Sequence, residues 1–189
     1  MNYLNAFLDL FLPSKCYICD KFCETEVCNT CLAKISFQFY MNKKIKNIED
    51  VYSLCLYEDV IKKLLKLIKF NSMQKIAEQM GALLNKSVTT LPFSNIDYWV
   101  PVPIHKKKLK KRGFNQVDLL FNELLLRHKV NLTDLAERTK NTKALHGLGP
   151  EERQKEIKGV FDLRNNINIR NKNICILDDI LTTGATVSE

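Results

Sequence analysis

The chain has 189 residues, 46% of them hydrophobic, room for one medium domain with a real core and a small module beside it. Lys and Arg number 29 against 21 Asp and Glu, a formal charge of +8. That excess favours a polyanion (nucleic acid, an anionic membrane surface, a phosphorylated ligand) without choosing among them, and the absence of low-complexity tracts excludes a compositionally disordered chain.

Tyr3, Leu4, Phe7, Leu8 and Phe11 recur at helical spacing. A short amphipathic helix is predicted over residues 2–12, packing on the body of the protein, with peripheral membrane contact as the alternative. The segment is too short to span a bilayer and lacks the basic leader and cleavage site of a secretory signal. The seven cysteines are therefore expected reduced, in the cytoplasm or at the inner face of its membrane.

Cys16-x2-Cys19 and Cys28-x2-Cys31 form two knuckles eight residues apart. Each pair puts two thiolates on one tight turn, and two such turns complete a tetrahedral sulfur site whose natural occupant is structural zinc. Four protein ligands leave no open position, so no chemistry is expected there. Cys23 is the spare, an alternative to Cys19 or Cys28. Cys55 and Cys175 read as small core residues. A module this small draws much of its stability from metal, so chelation is expected to loosen it before the rest.

After a polar connection at Lys43–Lys46, Val51–Tyr57 alternates as a strand. Asp59–Phe70 is predicted helical, with Ile61, Leu64, Leu65 and Ile68 inward and Lys62, Lys63, Lys66 and Lys69 a solvated stripe. Gln74–Val88 is a second amphipathic helix. Tyr98–Pro103 is a strand that the two prolines force out of its sheet. His105–Arg112 is a dense basic run closing on Gly113, Phe114, Asn115 and Gln116. A helix over Gln116–His128 points Val117, Leu120, Leu124 and Leu125 at the core. Leu132–Arg138 holds a strand, Lys140–Pro150 is polar, Glu151–Glu156 is a short helix, and Val160–Leu163 and Ile174–Leu177 are strands. Strands alternating with helices predict an α/β fold with a mostly parallel sheet. Ligands on such sheets bind at the carboxyl ends of strands, so the loops after Val102 and Leu177 are expected to share one edge.

The chain closes on Asp178 and Asp179 and then Thr182, Thr183, Gly184, Ala185 and Thr186. Backbone N–H groups and hydroxyls in such a turn suit a phosphate, and the adjacent acids suit ribose hydroxyls with Mg2+ between oxygens. This stretch resembles the phosphoribosyl pyrophosphate (PRPP) loop of type I phosphoribosyltransferases. The resemblance implies that Asp178 and Asp179 meet the ribose, as binding and catalytic residues, and that Thr182 to Thr186 hold the 5′-phosphate.

Asp97 to His105 with Arg112-Gly-Phe-Asn-Gln116 resembles the signature of the competence protein F (ComF, ComFC) family. Leu67 to Phe70, Arg138-x-Lys-x-Thr142, Gly147-Leu148, Glu152-Arg153, Lys158 to Phe161 and the paired knuckles resemble further parts of it. The resemblance implies a zinc module at residues 1–45 and a phosphoribosyltransferase-like domain at 46–189, C-terminally short, with less helix behind the phosphate loop. It implies that Pro101, Val102 and Pro103 begin a diphosphate loop, and that Arg138, Lys140 and Arg153 lie in a hood closing over PRPP. Many relatives have Gln at Leu145 and Asn at Glu156, so the hood is expected to close differently or to bind no diphosphate.

Three functions follow as expectations. The first is a competence protein handling incoming single-stranded DNA on Lys106, Lys107, Lys108, Lys110, Lys111 and Arg112, with Phe114 for stacking; without the resemblance this run reads as solvated surface. The second is an active Mg-dependent phosphoribosyltransferase with an open acceptor. The third is an adapter that senses PRPP or another phosphorylated molecule for a competence helicase or recombination protein.

Overall fold

The computed structural model describes residues 14–42, 44–142, 149–164 and 167–189. The helix expected over residues 2–12, and Leu145, Gly147 and Leu148 of the expected hood, lie outside them. The architecture is mixed α/β with small sheets. In chain order the elements are α1 (Asn29–Leu32), β1 (Tyr40–Met41), β2 (Tyr52–Ser53), α2 (Asp59–Asn71), α3 (Gln74–Ser87), β3 (Tyr98–Pro101), α4 (Lys106–Arg112), α5 (Gln116–Arg127), β4 (Ala136–Arg138), α6 (Pro150–Ile157), β5 (Phe161–Leu163), β6 (Ile174–Leu177) and α7 (Ala185–Ser188). Among the described residues no helix is long and apolar enough to cross a membrane.

The apolar spacing of the helices sets their packing. α2 buries Ile61, Leu64, Leu65 and Ile68, one face at i, i+3, i+4 and i+7. α3 buries Ile76, Ala77, Met80, Gly81 and Leu84 and lies along α5, which buries Val117, Leu120, Leu124 and Leu125. Asn115 caps α5 by accepting from the Val117 N–H at 3.3 Å, which satisfies one of the donors a helix start leaves over. Phe114, Leu120 and the inner faces of α2 and α3 form one core with Cys16, Val27 and Cys31. The Gln79 amide of α3 also clamps Val27, accepting from its N–H at 3.1 Å and donating to its carbonyl at 3.3 Å. The cysteine knuckles are thus built into the body of the protein.

β3 and β6 pair in parallel, Tyr98 opposite Ile174 and Pro101 opposite Leu177. The Val102 N–H donates to the Leu177 carbonyl at 2.8 Å, so the loops after both strands leave from one edge. Among the described residues parallel pairing ends there, apart from a bridge between Trp99 and Leu132. The other two ladders, β1–β2 and β4–β5, are antiparallel. The strand expected over Leu132–Arg138 divides because Thr133 donates to the Trp99 carbonyl while Arg164 N–H reaches Leu135; Leu132 stays with β3, and Ala136–Arg138 turns to β5. The strand expected over Val51–Tyr57 shortens to Tyr52–Ser53, because Cys55 packs against the α2–α3 core and Leu54 against Leu84.

Gly81 sets the distance between α3 and α5: a Cβ there would collide with the Leu119 backbone carbonyl. Gly81→Ala must push the helices apart, an overpacking cost of about 1–3 kcal/mol, which urea denaturation will show as a lower midpoint.

Candidate functional site

The site forms where β3 and β6 end. Asn115 donates to the Val102 carbonyl at 3.2 Å, and this fixes the first turn of α5 beside the end of β6. Gln116, buried there, donates to Asp179 Oδ2 at 3.1 Å. From the last turn of α2, Lys69 Nζ lies 3.1 Å from Asp179 Oδ1 and 3.0 Å from Oδ2. Arg112 closes the ring, donating to Gln116 Oε1 and, at 2.9 Å, to the Lys69 carbonyl. The Asp179 side chain is only 4% exposed, and a buried carboxylate is tolerable because its lone pairs are met.

Asp178 has different surroundings. Its Oδ1 accepts the Asp179 N–H at 2.8 Å, and it lines a small concavity of about 20 Å³, partly open to solvent, with Thr182, Thr183, Gly184, Thr186 and Arg153. Burial first, then the neighbouring Asp179 charge, push its carboxyl up to about 7, against the pull of Lys69. The two expected ribose acids are therefore separated in role: Asp178 faces the concavity and Asp179 is held inward.

The small-residue turn depends on Gly184, which takes φ +77° and starts α7; a Cβ there would also lie 2.5 Å from Ile45 Cδ1. Arg153 reaches across from α6 and donates to Thr182 Oγ1 at 3.0 Å. Arg138 stacks over Phe161 at 5.3 Å, donates to Thr142 Oγ1, and its buried Nε meets no partner among the described residues. Burial lowers the pKa of Arg138, and Asp178 and Glu156 partly restore it. Lys140 is exposed, beside Gly159. Pro101, Val102 and Pro103 run along the edge shared with Leu177.

The basic run becomes a helix, α4, capped by His105, whose ring accepts from the Lys107 N–H at 3.2 Å, and stopped at Gly113, φ +89°. Lys106, Lys107, Lys110 and Lys111 are exposed. Lys108 and Arg112 turn inward: Lys108 Nζ donates to the Thr142 carbonyl at 3.0 Å. Burial, then Arg138, Arg112 and Lys69, lower the Lys108 pKa. The expected stacking role of Phe114 is corrected: at 8% exposure its ring fills the α2–α3 core. Lys69 is corrected too, from a member of a solvated stripe to the counter-ion of Asp179. Lys69 and Gln116 were the missing site residues. Both sit in stretches singled out for resemblance, but their separations of 110 and 63 residues from Asp179 leave no trace in local periodicity.

The Sγ atoms of Cys16, Cys19, Cys28 and Cys31 all lie within 4.8 Å of one another, and Cys19 and Cys28 are 3.8 Å apart. Tetrahedral zinc with bonds of about 2.3 Å spaces its sulfurs by roughly 3.8 Å, so the set fits a metal ion such as zinc. The N–H groups of Ile18 and Cys28 each donate to Cys16 Sγ at 3.4 Å. Burial raises the Cys16 pKa, but these bonds and those from Cys19 outweigh it and bring the thiol to about 6. Burial, then its three neighbours, push Cys31 to about 12. A divalent cation offsets that repulsion among thiolates. Cys23 stands apart, its thiol donating to the Thr25 carbonyl at 2.9 Å.

Three relatives can be set beside this geometry. Competence protein F of Haemophilus influenzae (strain ATCC 51907 / DSM 11121 / KW20 / Rd) is 33% identical over 92 residues, 48% of this chain and 40% of that protein. DNA utilization protein YhgH of Escherichia coli (strain K12) is 30% identical over 138 residues, 70% of this chain and 60% of the relative. Competence protein ComFC of Bacillus subtilis (strain 168) is 28% identical over 138 residues, 71% of this chain and 53% of the relative. The chain thus spans 40% to 60% of the length of these relatives. No family model matches it. Fold and site define a mixed α/β protein with an acid-pair edge and a four-cysteine cluster that could hold a metal ion. The chain belongs to the ComF/ComFC competence protein family.

Two outcomes follow. Because Cys16 and Cys31 share a core with α2 and α3, chelation is expected to lower the midpoint of the whole thermal transition, read by circular dichroism, in place of loosening the N-terminal part first. Asp178 binds its proton more tightly folded than unfolded. Its contribution therefore lowers stability as pH rises from about 4 through about 7. Asp178→Asn should flatten that fall in denaturation midpoints taken between about pH 5 and 8; an unchanged slope would show that Asp178 ionises normally.

Proposed function

We propose that this chain handles single-stranded DNA in natural transformation, and that its acid-pair edge binds PRPP or a related phosphoribosyl ligand. The observation that carries this reading is one helix, α4, whose outer face is an exposed row of lysines and whose inner Arg112 joins the Lys69 and Gln116 network on Asp179, next in the chain to Asp178 and its concavity. The names of the relatives, competence proteins and DNA utilization proteins, support the DNA role. The phosphoribosyl role is supported by the Asp178-Asp179 pair, the turn at Gly184 and the parallel β3–β6 edge, together with the resemblance to type I phosphoribosyltransferases.

In this reading Asp178 accepts from a ribose hydroxyl, while Asp179 is positioned by Lys69 and Gln116. Thr182, Thr183 and Thr186 offer hydroxyls to a 5′-phosphate, and Arg153 adds charge from α6. Mg2+ would neutralise the diphosphate, and zinc would occupy the four-cysteine cluster as a structural ion. The domain is then phosphoribosyltransferase-like, working in the cytoplasm or at the inner face of its membrane beside a helicase or recombination protein. Lys106, Lys107, Lys110 and Lys111 hold phosphates of the strand and release counterions. Stacking must come from a side chain other than Phe114.

Calorimetry with Mg-PRPP on wild type and on Asp178→Ala tests the ligand: micromolar-range binding lost in the variant is expected, and no heat with wild type removes the phosphoribosyl reading. Oligonucleotide binding measured against salt tests the strand. Replacing Lys106, Lys107, Lys110 and Lys111 by Gln should weaken it and flatten its salt slope by about three. An affinity indifferent to salt removes the DNA reading. Diphosphate release from PRPP on adding an acceptor would replace binding by turnover.

A further inference from the structure

α4 has a charge distribution that a solvated surface helix avoids. Its seven residues are Lys106, Lys107, Lys108, Leu109, Lys110, Lys111 and Arg112, with no acidic residue. Lys106 and Lys110, Lys107 and Lys111, and Lys108 and Arg112 are like-charge pairs at i, i+4, each destabilising to the helix. At 100° per residue the first two pairs fall on one side and the third on the other. The structure realises that division: the outer four are exposed, while Lys108 and Arg112 bond inward to Thr142, Gln116 and Lys69. Across that inner face and the concavity connected to it, Lys69, Lys108, Arg112, Arg138 and Arg153 outnumber the carboxylates Asp178, Asp179 and Glu156. Arg138 also carries a buried Nε with no partner among the described residues, a donor that an anion would satisfy.

We propose that α4 serves two anions from opposite faces, so that a phosphorylated ligand seated beside Asp178 weakens polyanion binding to the outer lysines. The proposal rests on the phosphoribosyl and DNA readings above. Its physical basis is distance. A helix with side chains is about 10–12 Å across, close to the Debye length of about 10 Å at 0.1 M salt. Negative charge beside Asp178, which joins the inner face of α4 through Asp179, Lys69, Gln116 and Arg112, is therefore felt by the outer lysines at low salt and screened from them at high salt. A multiply charged ligand also neutralises Lys108 and Arg112, which otherwise add to the field that attracts a strand. The linkage runs both ways, since a strand on the outer face weakens the ligand by the same factor.

Fluorescence anisotropy of a labelled single-stranded oligonucleotide on the full chain, with and without saturating Mg-PRPP, reads this linkage. Calorimetry on the same sample reports whether PRPP is bound. With PRPP the oligonucleotide dissociation constant is expected to rise about three- to tenfold near 50 mM salt, and the ratio to fall toward one near 500 mM. PRPP that is bound but leaves oligonucleotide affinity unchanged or tightened overturns the linkage alone. A ratio that survives high salt undiminished also overturns it, because ligand and strand then occupy one site. PRPP that does not bind overturns the ligand reading and the linkage with it, and an oligonucleotide that does not bind at low salt does the same to the DNA reading.

Discussion

The contact on which the functional edge depends is the carboxylate of Asp179, nearly sealed from solvent and held by Lys69 and Gln116. It joins the last turn of α2, the first turn of α5 and the end of β6, three elements far apart in sequence. An unpaired carboxylate at that depth would be strongly destabilising. The folded edge therefore requires α2 and α5 to be docked where β6 ends. Arg112 extends the same network to α4 through Gln116 and the Lys69 carbonyl. Lys69 is about one-third exposed, so solvent screening moderates the strength of the pair. Its geometric role is unaffected by that screening.

The four-cysteine cluster acts on this network from behind. Cys16 and Cys31 are walls of the core that seats Ile61, Leu64, Leu65 and Ile68, and Lys69 follows directly on that face. Phe114, packed into the same core, sits two residues before Gln116. A small thiol cluster cannot bury enough apolar surface to fold alone, and in this chain it is not asked to. It borrows the surface of α2 and α3 and gives them a rigid floor. Gln79, meeting both backbone groups of Val27, fixes the angle at which the knuckles dock.

What could be read from the sequence was what local chemistry encodes. Four cysteines in two knuckles, the apolar faces of α2, α3 and α5, and two strands whose ends share an edge each follow from spacing over a few residues. What escaped was set by tertiary partners. Lys69 belongs to a stripe of lysines that all read alike, and only the fold singles it out by placing Asp179 against it. Phe114 looked like an exposed aromatic because its neighbours are basic, yet a large apolar ring beside a core gains more from burial than from solvent. The basic run became a helix because His105 caps it and Gly113 ends it, signals that its charge obscured. The short antiparallel ladders β1–β2 and β4–β5 were hidden too, since two or three residues carry no readable period.

Two adjacent carboxylates would repel if both were charged and bare. The fold resolves this by giving them different partners. Lys69 and Gln116 hold Asp179, which leaves Asp178 as the acid that senses its neighbour's charge and lines the concavity. Pairs of acids pushed apart in this way take different roles. Asp179 fixes the edge, and Asp178 is left with an energetically uncomfortable charge near neutral pH. Two donors from a vicinal diol would relieve that charge, whereas a second anion would aggravate it. A ligand that brings hydroxyls to Asp178 and phosphates to the cations around it satisfies both halves of the site at once. A bare phosphate satisfies only one. An edge that takes such a ligand would be more selective than its excess of positive charge suggests, because its own acid would discriminate among the anions that lysines and arginines attract.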